Sequence, residues 1–263
     1  MKIEFAARAE IGVRETNDDR VLINNEILDM SFLEGELTVP TYAVLCDGCG
    51  GYAGGGIAAE TTLEVFRSAD IEQLKEPNLL AEVLEQCQQA VKNKKNEFPE
   101  FSKMCATVVG CVFCENSVNI FHAGDSRAYR FDGTILARMT RDHSVVQEMI
   151  DSGQLTEEEA RVCPSRNIIT RCIGIEQYPA EIYVSNVPID EGEMYLLCSD
   201  GLWEALEDTE IKEILSSELS VGEKANQLVE KALANGSDDN TSVCICSRVG
   251  GKTQVEKKPF VLD

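Results

Sequence analysis

Between residues 105 and 140 the chain alternates apolar and polar residues in four short runs, CATVVGCVF, SVNIFHA, AYRF and TILARMT, separated by Glu115-Asn116, Gly124-Asp125 and Asp132-Gly133. Side chains that change sides at every residue belong to strands, and Asp-Gly between two such runs accepts the positive φ of a tight hairpin. The pattern predicts an antiparallel meander. That excludes an all-helical fold and argues against a doubly wound parallel sheet. Further strands are expected at 2–9, 20–23, 41–46, 181–187, 194–198 and 241–249.

Between the strands the period becomes helical. Ile57, Ala58, Thr61 and Val65 share one face, and Leu80, Val83, Leu84, Cys87 and Val91 share another, so two helices are expected to pack as a pair. Short helices are expected at 147–152 and 156–161, the second with Thr156 and Glu159 spaced as a capping box. Longer ones follow at 208–215 and 221–233, the latter with Ala225, Leu228, Val229, Ala232 and Leu233 on one side. Strands in meanders with paired helices between them point to an α+β protein of antiparallel sheets covered by helices. With 263 residues and no long Pro/Ser-rich linker, the chain is read as one domain, 1–249, and a loosely held tail, 250–263.

The balance of 24 Lys and Arg against 46 Asp and Glu, a net charge of −22, argues against nucleic acid and anionic membrane as partners, which require clustered cations. No run approaches the roughly 18 apolar residues of a membrane span, and the first residues lack a secretory pattern, so a cytoplasmic protein is expected. Eleven cysteines, an odd number set mostly in apolar runs, are read as reduced core residues. Cys111 and Cys114 have half-zinc-site spacing but sit in a strand, where residues three apart point to opposite faces.

Residues 44–56, VLCDGCGGYAGGG, admit three readings. The glycines could cradle a phosphate, because Gly48, Gly50 and Ala53 fit a GxGxxA dinucleotide fingerprint with Asp70 about twenty residues on. Cys46 and Cys49 form a CxxC pair suited to zinc or a disulfide. Asp47 could itself be the working group. Against the dinucleotide, Asp47 would set a negative charge beside a pyrophosphate, and no repeated βαβ units follow. A P-loop fails because no Gly-Lys-Ser/Thr follows the glycines.

Asp47 and Asp200 each follow an apolar strand, Asp125 ends the run NIFHAG, and Asp239 precedes TSVCIC. One such aspartate is an ordinary turn residue. Four of them, if they converge, repel one another unless a cation intervenes, and magnesium and manganese take oxygen ligands.

Eight segments, in order, resemble the metal-dependent protein phosphatases of type 2C: GVRETNDD with Arg20 (12–20), LCDGCGG (45–51), ATVVG (106–110), GDSRAYRF (124–131), TRDHS (140–144), RNIITRCIG (166–174), CSDGLWE (198–204) and SDDNTSV (237–243). They span nearly the whole chain, and their flap region is similar to that of bacterial members. The resemblance implies a four-layer αββα sandwich, two mainly antiparallel sheets flanked by helix pairs. It also implies hydrolysis of phosphoserine and phosphothreonine by direct attack of water bridging two manganese or magnesium ions. By position, Asp47 would bridge the metals with the Gly48 carbonyl on one of them, Asp200 and Asp239 would complete the first, and Asp18 would support the second. Asp19 would orient water, Arg14 would bind the substrate phosphate, and Asn240 would brace Asp239. Expected partners are phosphorylated proteins and a cognate Ser/Thr kinase with its substrates, the phosphatase itself acting as a monomer.

The chain departs from the family in places. Cys49 stands where many eukaryotic members have a histidine and bacterial ones methionine, and it is read as an inert thiol or a redox handle. Glu204 replaces a usual aspartate, which leaves a third metal site to Asp125, Asp200 and Glu204. Cys163 stands where bacterial members often have histidine. His122 is read as a packed residue and His143 as a supporting one. Two other functions remain open: a catalytically silent relative that binds phosphoproteins or metal, and a dinucleotide-dependent oxidoreductase.

Overall fold

The computed structural model describes residues 1–49, 54–175, 180–185 and 189–249. The expected tail, the end of the strand expected at 181–187 and the middle of the glycine-rich stretch lie outside them. In chain order the strands are β1 (Lys2–Glu10), β2 (Arg20–Ile23), β3 (Glu26–Leu28), β4 (Phe32–Thr38), β5 (Thr41–Cys46), β6 (Gly48–Cys49), β7 (Cys105–Ala106), β8 (Val108–Phe113), β9 (Val118–Ala123), β10 (Arg127–Phe131), β11 (Leu136–Arg138), β12 (Glu181–Ser185), β13 (Met194–Cys198) and β14 (Thr241–Val249). The helices are α1 (Gly55–Ser68), α2 (Ile71–Lys75), α3 (Pro77–Glu97), α4 (Val145–Asp151), α5 (Glu157–Arg161), α6 (Asp200–Trp203), α7 (Asp208–Ser216) and α8 (Val221–Ala234).

Two six-stranded sheets, ordered β11-β10-β13-β14-β1-β4 and β12-β9-β8-β5-β2-β3, stack with helices outside each, while β6 and β7 form a separate ribbon. Every pairing is antiparallel. Alternation explains three apolar layers. Leu45, Val109 and Cys111 face the other sheet and meet Phe5, Leu197 and Cys244. Their neighbours Val44, Val108 and Val112 face outward against Leu63 and Phe66 of α1 and Val83 and Leu84 of α3. On the far side Leu196, Val243 and Ile245 meet Leu228 and Val229 of α8. Burial on both faces is why runs such as TYAVLC read as continuously apolar. Cys111 lies in the central layer and Cys114 on the helical side, as expected for opposite faces.

The meander is not one sheet. β8 and β9 pair in the second sheet, whereas β10 and β11 belong to the first. Gly124-Asp125 is therefore a crossover rather than a hairpin turn. Gly124 adopts φ +122° and lies so close to Thr107 that a Cβ would come within 2.6 Å of its methyl, a position only glycine fills without strain. Strands β3, β4 and β6 and helices α2 and α6 lie outside the sequence expectation. Four of them have five residues or fewer, and β4 is a half-exposed edge strand. Asp70 caps α2, accepting from the Glu72 amide at 3.0 Å, which employs the carboxylate that a dinucleotide ribose would need. Helix α4 starts at Val145, two residues early, because Ser144 caps it. Among the described residues no helix is long and apolar enough to cross a membrane.

Candidate metal centre

Strand register carries the aspartates to one end of the sandwich. Cys46 of β5 faces Arg20 of β2, so Asp47 emerges beside Asp18 and Asp19. Cys198 of β13 faces Val243 of β14, which does the same for Asp200 and Asp239. Val108 of β8 faces Ala123 of β9, bringing Asp125 beside Thr107. Thr107 in turn grips Asp47: its N–H donates to the Asp47 carbonyl at 2.8 Å, and its Oγ1 accepts from the Asp47 N–H at 3.0 Å.

Each carboxylate feels its neighbours. Burial, then the charges of Asp200, Asp19, Asp125 and Asp239, push Asp47 well above the usual carboxylate range. Burial with Asp125, Asp239, Asp19 and Glu204 does the same to Asp200. Asp19 is pushed up to about 7, chiefly by burial and against the hydrogen bond from Ser199. Asp125 also rises to about 7, through burial and Asp142, and Asp239 and Glu204 are raised mainly by burial. Among the described residues Asp125 Oδ1 and Asp200 Oδ1 are buried with no hydrogen-bond partner. Unpartnered carboxylate oxygens beside other acids are costly by themselves and are what a hard cation takes as ligands. The residues present therefore fit divalent metal.

The glycines complete this fit. A Cβ on Gly48 would lie 2.2 Å from the Gly55 carbonyl carbon, and one on Gly55 would lie 2.3 Å from the Gly48 oxygen and 2.9 Å from Asp18 Oδ2. The Asp18 carboxylate thus rests against the first turn of α1, where the helix dipole favours an anion. Asn240 ties the parts together. Its Oδ1 accepts from the Asp18 amide at 2.8 Å, its Nδ2 donates to the carbonyls of Ile11 and Thr16, both at 2.9 Å, and its own amide donates to Asp239 Oδ1 at 2.8 Å. Arg14 reaches the rim, donating from Nη2 to Asp239 Oδ2 at 2.9 Å and from Nε to the Asp238 carbonyl at 2.7 Å, with half of its side chain exposed.

Glu204 stands one turn beyond Asp200, its amide donating to the Asp200 carbonyl at 2.9 Å. It borders a cavity of about 710 Å³ that Arg166, Trp203, Arg127 and Asp142 also line. His143 accepts from the Gly124 amide at 3.2 Å and so supports the crossover that carries Asp125. It stacks on His122 with centroids 4.4 Å apart, and His122 Nε2 lies 2.8 Å from the Arg141 carbonyl. Every site residue expected from the sequence thus lies in this region, His143 through its contact with the Gly124 amide.

Sequence reasoning missed the hydroxyls that hold the acids. Ser199 Oγ donates to Asp19 Oδ2 at 2.7 Å and accepts from the Ser242 amide at 2.9 Å, while Thr107 and Ser126 share a 2.7 Å contact. Each stands within or beside a segment quoted above, but nothing in a linear sequence reveals which way a hydroxyl points.

The comparisons agree with this geometry. The protein phosphatase 2C family model matches residues 5–241. A serine/threonine phosphatase, stp, of Listeria monocytogenes is 32% identical over 213 residues, covering 78% of this chain and 83% of its own length. The crystal structure of the serine/threonine phosphatase Stp1 from Staphylococcus aureus superposes with a TM-score of 0.80 at 30% identity, over 93% of this chain and 95% of that one. The catalytic domain of the serine/threonine phosphatase PstP, solved in complex with two manganese ions, superposes with a TM-score of 0.77 at 27% identity, over 94% of this chain and 99% of that one. With the acidic cluster at one end of an αββα sandwich and a family match over nearly its whole length, this chain belongs to the protein phosphatase 2C family.

Proposed function

We propose that the chain is a metal-dependent protein phosphatase that removes phosphate from serine and threonine side chains, its catalytic domain spanning 1–249. The observation that carries this is the convergence of Asp19, Asp47, Asp125, Asp200 and Asp239, with Asp125 Oδ1 and Asp200 Oδ1 buried and unpartnered among the described residues. Asp18, Asp47, the Gly48 carbonyl, Asp200 and Asp239 would hold two manganese or magnesium ions, and Asp125, Asp200 and Glu204 a third. Bound there, the ions would make water nucleophilic near neutral pH and offset the charge of a phosphate monoester.

The chain's own residues then have separate tasks. Arg14 offers its fork to the phosphate oxygens, for which it can leave Asp239. Asp19, held by Ser199, accepts hydrogen bonds from the attacking water and orients it. Asn240 keeps Asp18 and Asp239 at a fixed separation. His143 steadies Asp125 through Gly124. The cavity beside Glu204 has room for residues flanking the phosphorylated one. Substrates are phosphorylated proteins, including those of a cognate Ser/Thr kinase, and the enzyme works as a cytoplasmic monomer. The charge of −22 supports neither nucleic acid nor anionic membrane as a partner.

The test is phosphopeptide hydrolysis with manganese and with EDTA, repeated on Asp47→Asn and Asp239→Asn. Activity should need metal and fall by at least about a hundredfold in both variants, the scale seen when a preorganised electrostatic group is removed. Turnover surviving chelation and both substitutions would rule the reading out, metal-free turnover would indicate another chemistry, and metal binding without turnover would favour the silent-relative alternative.

A further inference from the structure

Three cysteines from separate segments meet beside the metal centre. Cys49 and Cys105 face each other directly across the β6–β7 ribbon, and Cys105 Sγ lies 3.8 Å from the Cys49 carbonyl oxygen. Cys172 arrives with a segment whose Ile173 exchanges backbone hydrogen bonds with Ala106 at 2.8 and 3.0 Å. The Cys105 thiol interacts with those of Cys172 and Cys49, and these two interact with each other. Directly opposed residues of an antiparallel pair have Cα atoms about 4.5–5.5 Å apart, inside the roughly 4.4–6.8 Å that a disulfide spans. Cys49 and Cys105 are half-buried whereas Cys172 is buried, so a small solute reaches the first two more readily. Hydrogen bonds from Cys172 and Cys49, with the Lys95 ammonium behind them, draw Cys105 below the usual thiol range, which favours it as the thiolate of the three.

We propose that Cys49 and Cys105 form a reversible disulfide in response to hydroperoxide, and that this bond restrains β6 beside the metal centre and slows turnover. In the first step the Cys105 thiolate attacks a peroxide oxygen. The O–O bond breaks, Cys105 becomes a sulfenic acid, and the hydroxide or alkoxide released takes a proton from solvent. In the second, the Cys49 sulfur attacks that of Cys105. The S–S bond forms, the S–O bond breaks, and hydroxide leaves as water with the Cys49 proton. The two thiols lose two electrons and the peroxide gains them, so hydrogen peroxide yields two waters. A dithiol reverses the bond by exchange. Only Gly48 separates Cys49 from Asp47, so tying Cys49 to β7 constrains the peptide that carries the proposed ligands. The effect on turnover rests on the phosphatase reading, whereas formation of the bond does not.

The test exposes the reduced protein to a small excess of hydrogen peroxide in EDTA, alkylates it, digests it without reduction and maps the linked peptides by mass spectrometry. A Cys49–Cys105 linkage should form, disappear with dithiothreitol, be absent from Cys105→Ser and persist in Cys172→Ser. Free, alkylated Cys105, or its linkage to Cys172 instead, overturns the assignment. In the second arm, oxidised protein is returned to manganese. Phosphopeptide hydrolysis should be lower by at least about tenfold, since ångström-scale misplacement of site groups costs that or more. It should recover with dithiothreitol, and the Cys105→Ser rate should be unaffected by peroxide. An unchanged rate in fully linked protein overturns the switch, while the activity of the reduced protein tests the phosphatase reading separately.

Discussion

Replacing Asp200 by asparagine should make the metal-free protein more stable while abolishing its response to metal. Asp200 is buried among Asp125, Asp239, Asp19 and Glu204, and its Oδ1 has no hydrogen-bond partner among the described residues. Asp19 and Asp125 each rise from 3.8 to about 7. At about 1.4 kcal/mol per pKa unit, holding either one ionised above pH 7 costs up to about 4 kcal/mol. Most of that is burial, which the substitution leaves in place. The repulsion relieved is that of Asp200 with Asp125, Asp239, Asp19 and Asp47, of order 1–3 kcal/mol at about 1.4 kcal/mol per pKa unit. For acids raised in the folded state, stability is full below the unfolded pKa and is lost as pH rises through the folded one. The gain should therefore be visible at pH 8 and shrink at pH 5.

Urea unfolding and thermal melts in EDTA at both pH values measure it. At roughly 2–4 °C per kcal/mol for a chain of this size, Asp200→Asn should melt about 4–8 °C above the parent at pH 8. Millimolar manganese should then raise the parent's Tm by mass action and leave the variant's unchanged. A variant less stable than the parent in EDTA at pH 8, or one that keeps the full manganese shift, would refute the view that these carboxylates repel one another until metal binds.

Two further substitutions probe the supports. Ser199→Ala deprives Asp19 of its hydroxyl donor and leaves the Ser242 amide unpaired. It should cost about 1–3 kcal/mol in urea unfolding and lower kcat more than it raises KM, with Ser199→Thr restoring part of both. His143 is held down to about 4 by burial and by the neighbouring His122 and Arg171. The unfolded chain therefore gains a proton that the fold refuses as pH falls from about 6.5 toward 4, and stability drops over that window. His143→Gln should flatten the acid limb by up to about 1.4 kcal/mol per pH unit. An unchanged limb in metal-free urea titrations would show that the histidine stack does not control it.

Much of the architecture was legible locally. Strands β2, β5, β13 and β14 follow the expected bounds because apolar runs between turn residues have few other ways to bury themselves. The capping box at Thr156 and Glu159 forms as its spacing predicts. What local pattern left undetermined was assignment between sheets. The runs on either side of Gly124-Asp125 alternate alike, and only packing against Thr107 and pairing with β13 send β10 into the other sheet. Short elements such as α2 and α6 carry too few residues for any period to show.

The same division holds at the site. Asp47, Asp125, Asp200 and Asp239 stood out as acids at strand ends beside glycine or asparagine, whereas Asp18 entered only through the resemblance carried by eight ordered segments. Their convergence, the hydroxyls of Ser199 and Thr107 and the meeting of Cys49 with Cys105 and Cys172 were not legible there. Sequence alone determined which residues stand at the strand ends. Register and the stacking of two sheets decided which of those ends coincide, because contacts between residues as far apart as Lys2 and Val249 arise only when both sheets have closed on their shared core.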